Sequence, residues 1–213
     1  MISHSKSSQE VMESVKTHNP QPIYLTSDKA VSQETADVLI ELVNERGKRS
    51  EWSYNPDCTE FQIANPFSKL RSENDEKTVS ILPELFGLAE SFLRHMNWSF
   101  QNNVCDIATG HHGFWVLRYD EGGQFDKHCD WDSGPNGIRP PVVGTVCILL
   151  NDDFRGGETV LYDSRGDEAI IQRGKFSALM WDGFTQHRVS PVTEGTRYAL
   201  VIHYTGTIKQ VGS

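Results

Sequence analysis

The residues best equipped for chemistry in this chain are His128 and Asp130, in the stretch FDKHCD over 125–130. Side chains alternate between the two faces of an extended strand, so a histidine and a carboxylate two positions apart point the same way while Cys129 points away. Two metal ligands can therefore converge without help from the wider fold. A divalent first-row ion needs a third, and His187, in GFTQHRVSPV, completes a set of two histidines and one carboxylate. Such a facial set leaves roughly half of an octahedron open to other molecules, an arrangement for catalysis or small-molecule chemistry. A structural zinc site would instead close four positions, usually with cysteines. Cys58, Cys105, Cys129 and Cys147 offer no C-x-x-C spacing for that. The other histidines (His4, His18, His95, His111, His112 and His203) read as bystanders.

Arg197 heads the otherwise apolar run RYALVIHY, downstream of His187. A guanidinium facing the inside of a fold needs an anion to offset its desolvation, and its planar fork matches a carboxylate in two parallel hydrogen bonds. A carboxylate co-substrate would answer that need, and so would a salt bridge to one of the chain's own acids. The loop WDSGPNGIRPPVVG over 131–144 follows directly on Asp130. Its place beside a metal site makes it a candidate lid, in which Trp131 and Arg139 could touch substrate.

These residues need elements to position them. From Ser32 the apolar residues Ala36, Leu39, Ile40 and Val43 form a helical stripe that ends near Gly47, after an S-x-x-T start of the capping kind. A second stripe, Ile81, Leu85, Leu88, Ala89, Phe92 and Leu93, predicts an amphipathic helix between Val79 and Trp98. Residues 50–76 read as an ordered, aromatic-rich loop with short strands. After Gly110 the texture changes to short apolar or alternating pieces: 113–119, the H-x-D stretch, 145–150, 158–162, 168–172, 176–181 and 197–204, separated by Gly, Asp and Asn turns. Helices first and strands afterwards predict a mainly β, α+β fold, a double-stranded β-helix (jelly roll) with supporting helices.

The 213 residues fit one domain, expected over 26–213 after a flexible segment at 1–25. A formal net charge of −9 argues against a phosphate backbone as the main partner, since electrostatic attraction dominates nucleic-acid affinity. No apolar run approaches the length of a membrane span and the start MISHSKSSQE is polar, so a cytoplasmic protein with reduced thiols is expected, with no membrane partner. The sequence does not indicate oligomeric state.

Taken together, RYDEGGQFDKHCD, GTVCILLND, FRGGETVLY, GKFSALMWDG and QHRVSPVTEGTRYALVIHY, spread over 117–204, resemble the Fe(II)- and 2-oxoglutarate-dependent dioxygenases, most closely their prolyl 4-hydroxylase-like branch. The resemblance implies Fe(II) held by His128, Asp130 and His187, with 2-oxoglutarate and O2 as co-substrates and ascorbate as a reductant. It implies that Arg197 binds the distal carboxylate of 2-oxoglutarate, with Tyr119 and Thr145 helping to position it. The collagen-modifying members usually carry lysine where Arg197 stands, which counts against a collagen-like substrate. Asp130 counts against the halogenating relatives, whose carboxylate ligand is replaced by a small residue. The implied reaction is hydroxylation of an unactivated C–H bond, foremost on a peptidyl proline. A free amino acid or other small molecule is the alternative acceptor, and a non-redox, cupin-like metal- and ligand-binding protein is the alternative of another class. Nucleic-acid demethylation is disfavoured by the acidic balance and by the lack of a second downstream arginine.

Overall fold

The computed structural model describes residues 29–50, 57–63, 76–100, 105–131 and 142–208. The N-terminal segment at 1–25 and Arg139 lie outside the described residues. Helix α1 (Gln33–Arg46) starts where the sequence predicts, because the Ser32 side chain accepts from the Thr35 backbone N–H. After β1 (Lys48–Arg49) and β2 (Cys58–Ile63), helix α2 (Glu76–Phe100) extends beyond the predicted 79–98 at both ends. The strands that follow are β3 (Cys105–Tyr119), β4 (Phe125–His128), β5 (Val142–Leu149), β6 (Arg155–Gly156), β7 (Thr159–Tyr162), β8 (Glu168–Ile171), β9 (Ala178–Asp182), β10 (His187–Val189), β11 (Val192–Glu194) and β12 (Arg197–Ile208).

A major sheet runs β1-β2-β3-β12-β5-β9, a minor one β4-β10-β7-β8, and β11 pairs with β6. Every pairing is antiparallel. The jelly roll with supporting helices is as expected. The differences are local. Strand β3 begins at Cys105, before Gly110, because the far end of β12 gives its first residues a partner as far as Ile208. The strand carrying the H-x-D stretch ends at His128, so Asp130 lies just beyond it in a bend. His187 opens β10.

Alternation along β12 sorts the molecule into two apolar layers. Leu200, Ile202 and Tyr204 join a core that includes Leu39, Leu42 and Leu85 of the two helices, whereas Ala199 and Val201 face a second cluster with Leu117, Tyr119, Cys147, Leu161, Leu179 and Trp181. Tyr204 Oη donates to the Ala89 carbonyl at 2.9 Å and fixes α2 to the sheet. Arg197 and His203 have the parity of the second layer, so the face of β12 turned away from the helices carries the polar residues.

Candidate active site

The centre of the site is the carboxylate of Asp130, and its two oxygens have different surroundings. Oδ2 accepts from Thr145 Oγ1 at 2.5 Å and from Trp181 Nε1 at 3.1 Å. Oδ1 faces His128 Nε2 at 3.4 Å and His187 Nε2 at 3.6 Å. One ligand atom from each of His128, Asp130 and His187 lies within 4.8 Å of the others. Ligands in adjacent positions around a first-row ion, each about 2.1 Å from it, sit roughly 3 Å apart, so this set can close on one ion with small movements.

Both imidazoles are oriented by the same device. His128 Nδ1 lies 2.7 Å from the Asp126 carbonyl and His187 Nδ1 lies 3.0 Å from the Thr185 carbonyl. A carbonyl can only accept, so Nδ1 carries the proton in each ring and Nε2 keeps a lone pair toward Asp130. The Thr185 carbonyl is itself placed by a buried turn between β9 and β10, where Asp182 Oδ1 accepts from the backbone N–H groups of Phe184 and Thr185 and from the Thr185 hydroxyl at 2.8–3.0 Å. Register then brings the two histidines together, since His187 of β10 pairs with His128 of β4. Burial pushes His187 down to about 4, against the pull of Asp130, which leaves it a neutral ligand at ordinary pH. For Asp130 burial acts to raise the carboxyl, but the neighbouring histidines, His187 first, hold it well below the usual carboxylate range.

The same face of β12 also buries a cation. Arg197 is only 1% exposed, and its guanidinium carbon lies 5.3 Å from the centre of the Tyr119 ring, the residue opposite it across the β3–β12 ladder. Arg197 Nε and Tyr119 Oη are both buried without a hydrogen-bond partner among the described residues. Orphaned buried donors of this kind are costly, and a carboxylate would satisfy them. Gly157 makes room for the arginine: at φ 64° it adopts a conformation most residues avoid, and a Cβ there would lie 2.9 Å from Arg197 Cδ.

Thr145, which the resemblance links to the co-substrate, has its hydroxyl on Asp130. Trp131 stacks on Phe184 with ring centres 4.5 Å apart, its backbone N–H donating to the Gly183 carbonyl at 2.7 Å. Two residues escaped the sequence reading. Trp181 supplies the second donor to Asp130. His203, read as a bystander, places Nε2 4.0 Å from Asp130 Oδ1. Opposite His203 the β3–β12 register slips, so that two residues of β3 face this one residue, and Gly113 in that bulge has φ 125°. Such bulges re-aim side chains near sites. The signal was present in the alternation of RYALVIHY, which gives His203 the parity of Arg197.

A jelly roll with a two-histidine, one-carboxylate centre beside a buried arginine defines a class of metal-dependent enzyme scaffold, and comparison with known proteins narrows it. Residues 114–205 match the 2OG-Fe(II) oxygenase superfamily. A PKHD-type hydroxylase of Idiomarina loihiensis is 36% identical over 95 residues, which is 45% of this chain and 43% of that protein. One from Paracoccus denitrificans is 35% identical over 89 residues, 38% of each chain. The matched segment thus spans less than half the length of these curated relatives. Among solved structures, a prolyl hydroxylase from Trichoplax adhaerens, in complex with a hypoxia inducible factor oxygen degradation domain peptide fragment, superposes with a TM-score of 0.66 at 18% identity, covering 95% of this chain and 94% of that one. A Pseudomonas putida prolyl-4-hydroxylase gives 0.61 at 12% identity, with coverages of 93% and 98%. Over residues 114–205 the chain is thus similar to the 2OG-Fe(II) oxygenase superfamily, and its fold is shared with solved prolyl hydroxylases. Fe(II), 2-oxoglutarate and O2 are the cofactor and co-substrates of that family, and the donor set and orphaned guanidinium described above fit the first two.

Proposed function

We propose that the protein is a 2-oxoglutarate-dependent hydroxylase that acts on a peptidyl proline. The observation that carries this reading is the His128–Asp130–His187 cluster in a fold that also buries Arg197, whose Nε has no hydrogen-bond partner among the described residues. In this reading His128, Asp130 and His187 hold Fe(II), and Arg197 holds the distal carboxylate of 2-oxoglutarate, with Tyr119 hydroxyl as second donor. Thr145 acts one step removed by fixing Asp130. The bound iron supplies oxidative chemistry in which 2-oxoglutarate, O2 and R–H give succinate, CO2 and R–OH. The chain's own residues do the rest. The Asp126 and Thr185 carbonyls fix the Nδ1 side of each ring and so aim both Nε2 atoms at Asp130. Thr145 and Trp181 hold one oxygen of Asp130 so that the other faces the metal. The apolar wall of Leu117, Leu179, Val201 and Trp181 limits water near the reacting groups. The loop after Asp130, with Trp131 at its start and Arg139 within it, contacts the acceptor.

A peptide acceptor is supported by the peptide bound to the Trichoplax relative, and Arg197 weighs against a collagen-like one. The test is anaerobic loading with Fe(II), then O2 and 2-oxoglutarate, with succinate measured in wild type, His128→Ala, Asp130→Ala and Arg197→Ala. Succinate formed by the wild type and lost in all three variants is expected. Metal binding without succinate would instead leave a non-redox ligand-binding protein. Proline-containing peptides and free L-proline are then compared by mass spectrometry for a gain of one oxygen, and oxidation of free proline alone would replace the peptide with a small molecule.

A further inference from the structure

The orphaned guanidinium has a second cation near it. Arg173, in the link between β8 and β9, reaches across to β5, where Nη1 donates to the Cys147 carbonyl at 2.7 Å and Nη2 lies 3.3 Å from Cys147 Sγ and 3.0 Å from Thr159 Oγ1. Cys147 is 4% exposed and belongs to the same buried layer as Tyr119, the residue paired with Arg197. The groups that bear on its sulfur come from three directions: Arg173 from the β8–β9 link, Arg197 from β12, and, through the Tyr119 hydroxyl, β3 with Cys58 of β2. Among the described residues these groups include no carboxylate. Two like charges buried together are unfavourable, and Arg173 registers this: burial and then the charge of Arg197 act against its own, while Cys147 supports it. Of the groups there that can become anions, the Tyr119 hydroxyl is pushed up by burial, whereas the Cys147 thiol has Arg173 Nη2 directly on its sulfur. Burial acts to raise it, but Arg173 and Arg197 outweigh burial and bring the Cys147 thiol below its ordinary value.

We propose that Cys147 is a charge-switching group of the co-substrate pocket: a thiolate between Arg173 and Arg197 when the pocket is empty, and a neutral thiol once a carboxylate takes over the two guanidiniums. This rests on the reading of Arg197 as the site of the 2-oxoglutarate carboxylate and goes beyond it. Arg173 becomes a second cation of that pocket, and co-substrate binding takes up a proton on Cys147 Sγ. No bond is broken and no electron moves. The consequence is a co-substrate affinity that falls as pH rises through the thiol's titration, because more of the empty pocket then holds its own anion.

Two measurements on the Mn(II)-loaded protein, kept anaerobic, test this. The first is the ultraviolet thiolate absorbance of wild type minus Cys147→Ser as a function of pH; Cys58, Cys105 and Cys129 are common to both and cancel. A difference titration centred below the ordinary thiol value of about 8.5 is expected, moved upward in Arg173→Gln. The second is calorimetric titration with 2-oxoglutarate in two buffers of unlike ionisation enthalpy, at a pH above that midpoint. Wild type should take up close to one proton more per ligand than Cys147→Ser. Tight binding with equal proton uptake in both proteins, or a difference titration no lower than that of an ordinary thiol, overturns the switch and leaves the hydroxylase reading standing. A low-lying thiolate in a protein that does not bind 2-oxoglutarate sinks the co-substrate reading and the switch with it.

Discussion

If Thr145 and Trp181 fix one oxygen of Asp130 so that the other meets the metal, removing either donor should loosen the ligand without deleting it. Thr145→Val and Trp181→Phe are each expected to weaken Mn(II) or Fe(II) binding about 10- to 100-fold, the range for lost supporting contacts to metal ligands, as measured by metal titration. Asp130→Asn should do more, and an unchanged metal affinity in Thr145→Val would show that its short bond to Oδ2 has no bearing on the metal. His203 gives the opposite contrast. It lies next to Asp130 but outside the ligand cluster, so His203→Gln should retain one metal per chain where His187→Gln should not. Gly157→Ala, strained at φ 64° and driving a methyl against Arg197 Cδ, is expected to raise the KM for 2-oxoglutarate several-fold while leaving metal affinity intact. The candidate ligands were legible because histidine, aspartate and arginine carry their chemistry in their identity. Thr145 and Trp181 were not, since a threonine or tryptophan declares no role until something is placed within 3 Å or so of it.

At the level of elements, the site depends on two junctions. The first joins the helices. Glu84 of α2 accepts from the Ser32 backbone N–H at 2.6 Å, from its hydroxyl at 2.7 Å and from the Thr35 hydroxyl, so one carboxylate of α2 binds the N-cap of α1. Those contacts hold Glu84 below the usual carboxylate range, against its partial burial. Ser32→Ala removes both the cap and one of these contacts and should cost about 1–2 kcal/mol in a urea titration. The second junction is the turn at Asp182. Asp182→Ala should destabilise the fold and also lower metal affinity, because the Thr185 carbonyl that aims His187 would lose its anchor. The capping box-like start of α1 was readable as local chemistry. The ends of β3 and β4 were not, because pairing with β12 extends one and the bend at Asp130 stops the other.

For the whole molecule, metal and co-substrate bind the folded chain and not the unfolded one, so both should stabilise it by mass action. At 100 times its Kd a ligand adds about 2.7 kcal/mol, and for a domain of this size each kcal/mol raises Tm by about 2–4 °C. Mn(II) and 2-oxoglutarate added together should therefore raise Tm by several degrees in a thermal shift experiment, with a chelator reversing the gain. Arg197→Ala should lose the part due to 2-oxoglutarate and keep the part due to metal. No helix among the described residues is long and apolar enough to cross a membrane, and the net charge of −9 remains an argument against nucleic acid.

The sequence by itself determined the class of chemistry, through the set His128, Asp130, His187 and Arg197, and the layout of helices before strands, through apolar spacing that local geometry imposes on any chain. Only the tertiary structure decided which oxygen of Asp130 faces the two histidines, that Thr145 and Trp181 hold the other, that His203 lies near Asp130, and that Arg173 reaches Cys147. The reason is physical. Residue type fixes what a side chain can do and strand parity fixes which face it takes, but which groups meet across a barrel depends on sheet order, register and bulges, set by packing between strands far apart in the chain.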